Sequence, residues 1–133
     1  PSDYLCNKSI KSKKKPVIYS KNEIKDGYMG LDIGPRSIKR FQSILNDAET
    51  IFWNGPMGVF ENENYEEGTK TLASSIAELT EKGAESIIGG GDSASALRKY
   101  SLTKNVTHLS TGGGASLELL SGKTLPALQR LEI

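Results

Sequence analysis

Two runs of three glycines most constrain the fold of this chain. Glycines 89–91 and 112–114 each stand between a strand-like and a helix-like segment, 23 positions apart (112 minus 89). A third strand-like run, 50–54, precedes a glycine-rich loop and a helix-like run that begins near Thr69. This alternation predicts an α/β domain with a largely parallel sheet, in which both glycine turns leave the carboxyl edge where open α/β sheets bind ligands.

The remaining segments fit the same class of fold. Residues 35–48 predict a helix with an apolar face of Ile38, Phe41, Ile44 and Leu45, and Pro35 suits its first turn. Other predicted strands span 15–20, 85–89 and 106–110, and other predicted helices span 93–100 and 115–122. Gly83 is a typical C-terminal stop for the helix that begins near Thr69.

Composition indicates one ordinary globular domain. The 133 residues are 36% hydrophobic and 25% charged, and 17 basic against 16 acidic residues give a net charge of +1. This charge does not favour a nucleic-acid or membrane partner. The single cysteine, Cys6, cannot form an internal disulfide and is expected to be a small buried hydrophobe. Without a membrane-length apolar run or a signal peptide, we expect a cytoplasmic protein.

The glycine turns suit an anion, because their main-chain N–H groups and the following helix carry positive dipole ends. The alternative is that the glycines only make tight turns; two turns on one edge favour the anion. Neither triplet matches GxxxxGK[ST] or GxGxxG. Asp92 is either a helix N-cap or a ligand of an Mg²⁺ ion that also binds phosphates. Ser93 is either part of the helix cap or a residue whose hydroxyl contacts a phosphate.

The stretch WNGPMGVFE (53–61) combines an aromatic ring, an amide, a glycine-proline loop and an acid. It could offer a flat apolar surface and a carboxylate for a ribose diol, or be an ordered turn with Val59 and Phe60 in the core. GYMGLDIGP (27–35) is another glycine-rich loop, for packing or function. His108 is expected to be a core or edge residue, and no Ser/His/Asp or Cys/His arrangement is present.

Together these motifs resemble the phosphoglycerate kinase family, over the later part of its carboxy-terminal, nucleotide-binding domain. The resemblance rests on MGLDIGP (29–35), WNGPMGVFE (53–61), GTK (68–70), IIGGGD (87–92) and STGGGASLELLSGK (110–123), in the family's order. Tyr28 and Ser93 stand where tryptophan and threonine are common in the family, and residues 7–15 depart from it most.

The resemblance implies a partial three-layer, Rossmann-like α/β fold over residues 1–133. It also implies an enzyme that moves a phosphoryl group between 1,3-bisphosphoglycerate and Mg·ADP, giving 3-phosphoglycerate and Mg·ATP in glycolysis. Gly91 and Gly114 would donate N–H groups to the transferred phosphoryl group, and Asp92 would hold magnesium. The implied nucleotide-binding residues are Gly30, Leu31, Asn54, Pro56, Val59, Glu61, Gly90, Gly91, Asp92 and Ser93.

The family's phosphoglycerate-binding domain and phosphate-binding lysines belong to earlier sequence, so we expect a piece of a longer, monomeric enzyme that is inactive alone. An uncovered sheet edge would then make the piece marginally stable or prone to association. Two other hypotheses stay open at this point. One is a stand-alone nucleotide-binding module without chemistry, and the other is a structural piece that binds no ligand.

Overall fold

A computed structural model describes residues 1–110 and 112–129 of the chain. Residue 111 of the predicted glycine-rich motif and residues 130–133 of the predicted domain lie outside the described residues. The strands are β1 (Asp3–Asn7), β2 (Val17–Ser20), β3 (Met29–Ile33), β4 (Thr50–Asn54), β5 (Glu85–Gly89) and β6 (His108–Ser110). The helices are α1 (Pro35–Leu45), α2 (Glu67–Glu81), α3 (Gly91–Lys99), α4 (Gly113–Leu120) and α5 (Pro126–Gln129), with a 3₁₀ turn at Glu63–Tyr65.

Strands β4, β5 and β6 form a parallel sheet in that order, so the predicted α/β class and parallel sheet are confirmed. Strands β4 and β5 have the predicted bounds, whereas β6 begins at His108 rather than at 106. Side chains replace the strand ladder there: the Ser86 N–H donates to Thr107 Oγ1 and the Thr107 N–H donates to Ser86 Oγ, both at 3.0 Å. His108 is exposed on this edge strand.

A second, antiparallel sheet has the order β2-β1-β3, and the sequence prediction was wrong in placing only one strand before residue 35. Strand β2 begins at Val17, one residue after Pro16, which has no N–H for a strand ladder. In β1, Cys6 is fully buried as predicted, and burial raises the pKa of its thiol.

Buried aspartates from this second sheet hold the starts of two helices. Neither α1 nor α2 has a side-chain cap at its own N-cap residue. Instead, the Asp3 carboxylate in β1 accepts the N–H groups of Arg36 and Ser37 at 3.1 and 2.8 Å. Asp32 in β3 accepts the N–H of Gly68 at 2.7 Å. Each carboxylate thus takes the place of a local cap at the positive end of a helix.

The core lies between the parallel sheet and its helices, around Ile51, Trp53, Phe60, Ile76 and Leu97. Of the predicted apolar face of α1, Leu45 packs against this core as a partly buried residue, whereas Ile44 is 61% exposed and the fully buried residue of the helix is Ser37. Phe41, Ile44 and Leu45 border, with β4, an apolar groove of about 250 Å³. In the described part of the chain, β4 has no strand on its outer side. No described helix is both long and apolar enough to cross a membrane.

We expect Asp3→Ala to lower the free energy of unfolding by about 2 to 4 kcal/mol at neutral pH, because it leaves buried N–H groups unpaired. Burial acts to raise the pKa of Asp3, but hydrogen bonds from Ser37 and Arg36 outweigh it and hold that pKa below its ordinary value of 3.8. A carboxylate whose pKa is lowered by folding stabilises the folded state when the pH is above its ordinary pKa. This stabilisation is lost as the pH falls through the pKa of the folded state. The stability gap between wild type and the variant should therefore narrow in acid.

Urea denaturation at neutral pH and near pH 3 measures this difference. The matched control is Asp26→Ala, which removes an exposed loop carboxylate. A gap between wild type and Asp3→Ala that stays constant across this pH range would contradict the role given to the Asp3 carboxylate.

Candidate functional site

The two glycine turns touch each other at the carboxyl edge of the parallel sheet. Gly90 has φ +92°, and a Cβ added there would lie 2.6 Å from Asn54 Oδ1. A Cβ added at Gly113 would lie 2.7 Å from the same oxygen and 2.5 Å from the Gly90 nitrogen. The Gly90 N–H donates to Ser110 O at 3.0 Å, which joins the two turns. At Gly90 and Gly113, therefore, backbone geometry and packing alone require glycine.

Gly91 and Gly114 differ from these two glycines. Neither has a positive φ, and a Cβ added at either position would meet no atom within 4 Å. Gly91 is the first residue of α3 and Gly114 is the second residue of α4, and neither N-cap residue of these helices makes a side-chain cap hydrogen bond. In contrast to α1 and α2, their first turns present N–H groups to which the described residues bring no capping carboxylate. Packing within the described residues therefore does not require glycine at these two positions, and their N–H groups are open to an anion.

Asp92 is exposed in the first turn of α3. Gly90 is the N-cap residue of this helix, so the N-cap alternative for Asp92 was wrong. Nowhere in the described part of the chain do three or more Asp, Glu, His or Cys side chains gather into a possible metal site. A single exposed carboxylate fits Mg²⁺, which proteins often hold through one or two carboxylates together with substrate phosphates and water.

Ser93 follows Asp92 but is fully buried. Its Oγ accepts the N–H of Gly55 at 2.7 Å, and Gly55 has φ +94°. The hydroxyl therefore ties α3 to the loop of residues 54–61, here called the 54–61 loop. Ser93 Oγ still carries a proton that it can donate to a further acceptor.

The 54–61 loop reaches the second sheet, where the Val59 N–H donates to Leu31 O at 2.8 Å. Asn54 thus lies at the glycine turns, while Val59 lies beside β3, which contains Gly30 and Leu31. Leu31 is buried and Gly30 is exposed. On the same loop, Pro56 is half-buried and Glu61 is exposed.

The aromatic residue Trp53 does not offer the flat surface that one of the two alternatives for this motif required. Trp53 is only 6% exposed and belongs to the core, so it offers no flat surface to a ligand. Its Nε1–H donates to Gly55 O at 2.6 Å, which fixes the start of the loop. Phe60 is also buried, as the alternative of an ordered turn required, whereas Val59 is only half-buried.

Sequence reasoning missed Asp32, which organises the other end of the site. Its carboxylate is buried and accepts the N–H groups of Gly68 and Ile33 at 2.7 and 2.8 Å. A Cβ added at Gly58 or Gly68 would collide with this side chain. Three motifs, MGLDIGP, WNGPMGVFE and GTK, therefore meet at one carboxylate. Burial raises the pKa of Asp32 above its ordinary value, although both N–H donors act to lower it.

A polar cluster braces the far end of the 54–61 loop. Lys99 Nζ donates to Phe60 O at 2.6 Å and pairs with the Glu66 carboxylate at 2.5 Å. The Lys99 hydrogen bond holds the pKa of Glu66 below its ordinary value. Burial raises the pKa of the neighbouring Tyr100 to about 12. Lys99 thereby ties the end of α3 to the far end of the 54–61 loop. Ser93 ties the beginning of α3 to the start of the same loop.

The fold and site define an α/β protein with two joined glycine turns at the carboxyl edge of a parallel sheet, where proteins of this class bind their ligands. The chain belongs to the phosphoglycerate kinase family, since the family model described as phosphoglycerate kinase matches residues 1–123.

Similar proteins carry the same family name. The chain is 50% identical over 132 residues to a phosphoglycerate kinase of Acaryochloris marina (strain MBIC 11017), covering 99% of this chain and 33% of that protein. With a phosphoglycerate kinase of Rhodococcus opacus (strain B4), the identity is 53% over 133 residues, again 99% of this chain and 33% of the relative. The chain thus spans about a third of the length of these relatives.

Solved structures agree with the assignment. The structure of phosphoglycerate kinase from Coxiella burnetii matches 97% of this chain and 33% of its own, with a TM-score of 0.86 and 38% identity. The crystal structure of the phosphoglycerate kinase from Pyrococcus horikoshii OT3 matches 99% of this chain and 32% of its own, with a TM-score of 0.80 and 36% identity.

Proposed function

We propose that this chain is the nucleotide-binding part of a phosphoglycerate kinase. The complete enzyme would transfer a phosphoryl group reversibly between 1,3-bisphosphoglycerate and ADP, giving 3-phosphoglycerate and ATP in glycolysis. The observation that carries the proposal is that Gly91 and Gly114, in the first turns of α3 and α4 at one sheet edge, face open space. Membership of the family supports it.

In this proposal the N–H groups of Gly91 and Gly114 hold the phosphoryl group during transfer. Gly90 and Ser93 shape the turn around the nucleotide phosphates, Ser93 through the hydrogen bond that its buried hydroxyl accepts from the Gly55 N–H. Asp92 holds Mg²⁺, which when bound neutralises charge on the phosphates and orients them. The exposed position of Asp92 allows it to reach a metal ion that arrives with the nucleotide.

The nucleoside end lies along the 54–61 loop and β3. We assign Gly30, Leu31, Asn54, Pro56 and Val59 to the adenosine and its first phosphate, and Glu61 to the ribose hydroxyls. The hydrogen bond from Val59 to Leu31 supports this assignment, because it places residues from two separate motifs side by side. Asn54 lies against Gly90 and Gly113, so the loop begins at the phosphates and continues toward the base.

Phosphoryl transfer explains why such a site needs no acid or base. The bond from phosphorus to the acyl oxygen breaks while a bond to a β-phosphate oxygen of ADP forms, and no proton has to move. Charge in the transition state is spread over three equatorial oxygens, which fixed N–H donors and helix ends stabilise. Backbone groups of α3 and α4 can therefore act as the catalytic groups.

The residues that hold phosphoglycerate are assigned to a part of the enzyme outside this sequence. We therefore propose that the chain alone binds Mg·ADP or Mg·ATP but does not turn over. The proposal includes a cytoplasmic, monomeric full-length enzyme.

Calorimetric titration with ADP, with and without Mg²⁺, tests the proposal through Asp92. We expect Mg²⁺ to strengthen ADP binding to the wild-type chain. In Asp92→Asn most of this gain should disappear, while binding without Mg²⁺ should become equal or tighter because a carboxylate no longer repels the phosphates. In the full-length enzyme the same variant should lower the transfer rate strongly, with little effect on folding.

The matched control is Asp47→Asn, which removes an exposed carboxylate just after α1. It should leave both titrations unchanged. Equal Mg²⁺ dependence in wild type and Asp92→Asn would remove Asp92 from the metal site. A folded chain that binds no ADP under either condition would instead support a purely structural piece.

A further inference from the structure

The loop between β1 and β2 concentrates the positive charge of the chain. It contains Lys8, Lys11, Lys13, Lys14 and Lys15, and no acidic residue occurs between Asp3 and Glu23. The whole chain has 17 basic and 16 acidic residues, so without these five lysines 12 would face 16, a net charge of −4. The near-neutral total therefore conceals a strongly basic loop on a mildly acidic protein.

This basic loop is concave. It borders a cavity of about 440 Å³, which is within the range of small-molecule sites. Lys8, Lys11, Lys14 and Lys15 line the cavity, whereas Lys13 does not. The lining includes no Asp or Glu, and none of its residues belongs to the proposed nucleotide site.

The backbone of the basic loop is held in place by Asn7, which is only 4% exposed. Its Nδ2 donates to Lys14 O and its Oδ1 accepts the Lys8 N–H, both at 2.9 Å. One buried side chain thus connects the two ends of the loop. Lys8 Nζ also lies 5.5 Å from the centre of the Tyr28 ring, which borders the same cavity. The backbone of Lys8 and Lys14 is therefore fixed beside the cavity before any ligand binds.

Four lysines line one cavity, so their positive charges repel each other, and the cavity lining offers no carboxylate to offset them. A ligand with several adjacent negative charges would relieve this repulsion and could accept hydrogen bonds from more than one lysine at once. The volume of the cavity, which is within the range of small-molecule sites, favours a small ligand over a flat surface. We propose that this cavity binds a small soluble ligand that carries two or more clustered phosphate groups.

Calorimetric titration of the purified chain with inorganic tripolyphosphate, and separately with orthophosphate, tests the proposal. We expect tripolyphosphate to bind at least about tenfold more tightly than orthophosphate, since each further ion contact adds affinity. The double variant Lys11→Gln and Lys14→Gln should weaken tripolyphosphate binding by about tenfold or more. Far-UV circular dichroism verifies that these surface variants remain folded.

The matched control is Lys13→Gln combined with Lys104→Gln, which removes the same charge from exposed lysines outside the cavity. It should change tripolyphosphate affinity less than about twofold. Equal weakening in both double variants would overturn the proposal in favour of general charge attraction. Absence of tripolyphosphate binding would also overturn the proposal. The same holds if the chain binds vesicles that contain phosphatidylserine but does not bind tripolyphosphate.

Discussion

Replacing Gly91 by alanine is expected to lower the phosphoryl-transfer rate of the full-length enzyme by about 10- to 100-fold, and to weaken Mg·ADP binding to the chain. The added methyl group would occupy the open space in which we place a phosphate. It would meet no protein atom within 4 Å, and φ at this position is not positive. The free energy of unfolding should therefore stay the same or rise by up to about 1 kcal/mol, as for other compatible glycine-to-alanine changes.

Gly113→Ala is the matched contrast within the same pair of turns. Its methyl group would lie 2.5 Å from the Gly90 nitrogen, so we expect a loss of about 1 to 3 kcal/mol in stability. Steady-state kinetics and urea denaturation of both variants separate the two effects. Full activity in Gly91→Ala would mean that this glycine serves the turn alone and that α3 does not contact the phosphoryl group.

Among the variants considered, Asp32→Ala is expected to lose the most stability, with the free energy of unfolding lowered by about 3 to 5 kcal/mol. The change leaves the buried N–H groups of Gly68 and Ile33 without their acceptor and opens a cavity under the 54–61 loop. Because Gly58 and Gly68 pack directly on this carboxylate, the loop should also lose its fixed position. ADP affinity should fall together with stability.

Asp32→Asn is the control that keeps the shape of the side chain. It retains one acceptor oxygen, so we expect it to lose less stability than alanine, by roughly half. Urea denaturation measures both variants, and calorimetry with Mg·ADP measures the nucleotide site. Wild-type stability in Asp32→Ala would show that the two N–H groups find other acceptors and that the carboxylate is not the anchor of the loop.

The parallel sheet was predictable because β4 and β5 are apolar runs followed by glycine, which is typical of buried parallel strands. The antiparallel sheet was not, because β1 and β3 each contain a buried aspartate that pattern reasoning assigns to the surface. The reason for burial lies more than thirty residues away, at the start of a helix. No local pattern carries that information.

The site was predictable to a similar degree. The meeting of the two glycine turns follows from strand order, and the structure places them together. Which glycine serves the turn and which faces open space depends on Asn54, whose side chain packs on Gly90 and Gly113 but not on Gly91 or Gly114. Likewise, Trp53 is a core residue because of its place in β4, although its motif suggested a ligand surface.

The strand-borne aspartates also bear on how the chain folds. Asp3 and Ser37 are 34 positions apart, and Asp32 and Gly68 are 36 apart. The hydrogen-bond acceptors for the first-turn N–H groups of α1 and α2 are therefore not supplied by neighbouring residues. Each helix obtains its acceptor from a strand that lies far along the chain. Contacts of such long sequence separation slow folding, because loop closure comes before the stabilising interaction. These helices and the antiparallel sheet should form together in one cooperative step rather than one after the other.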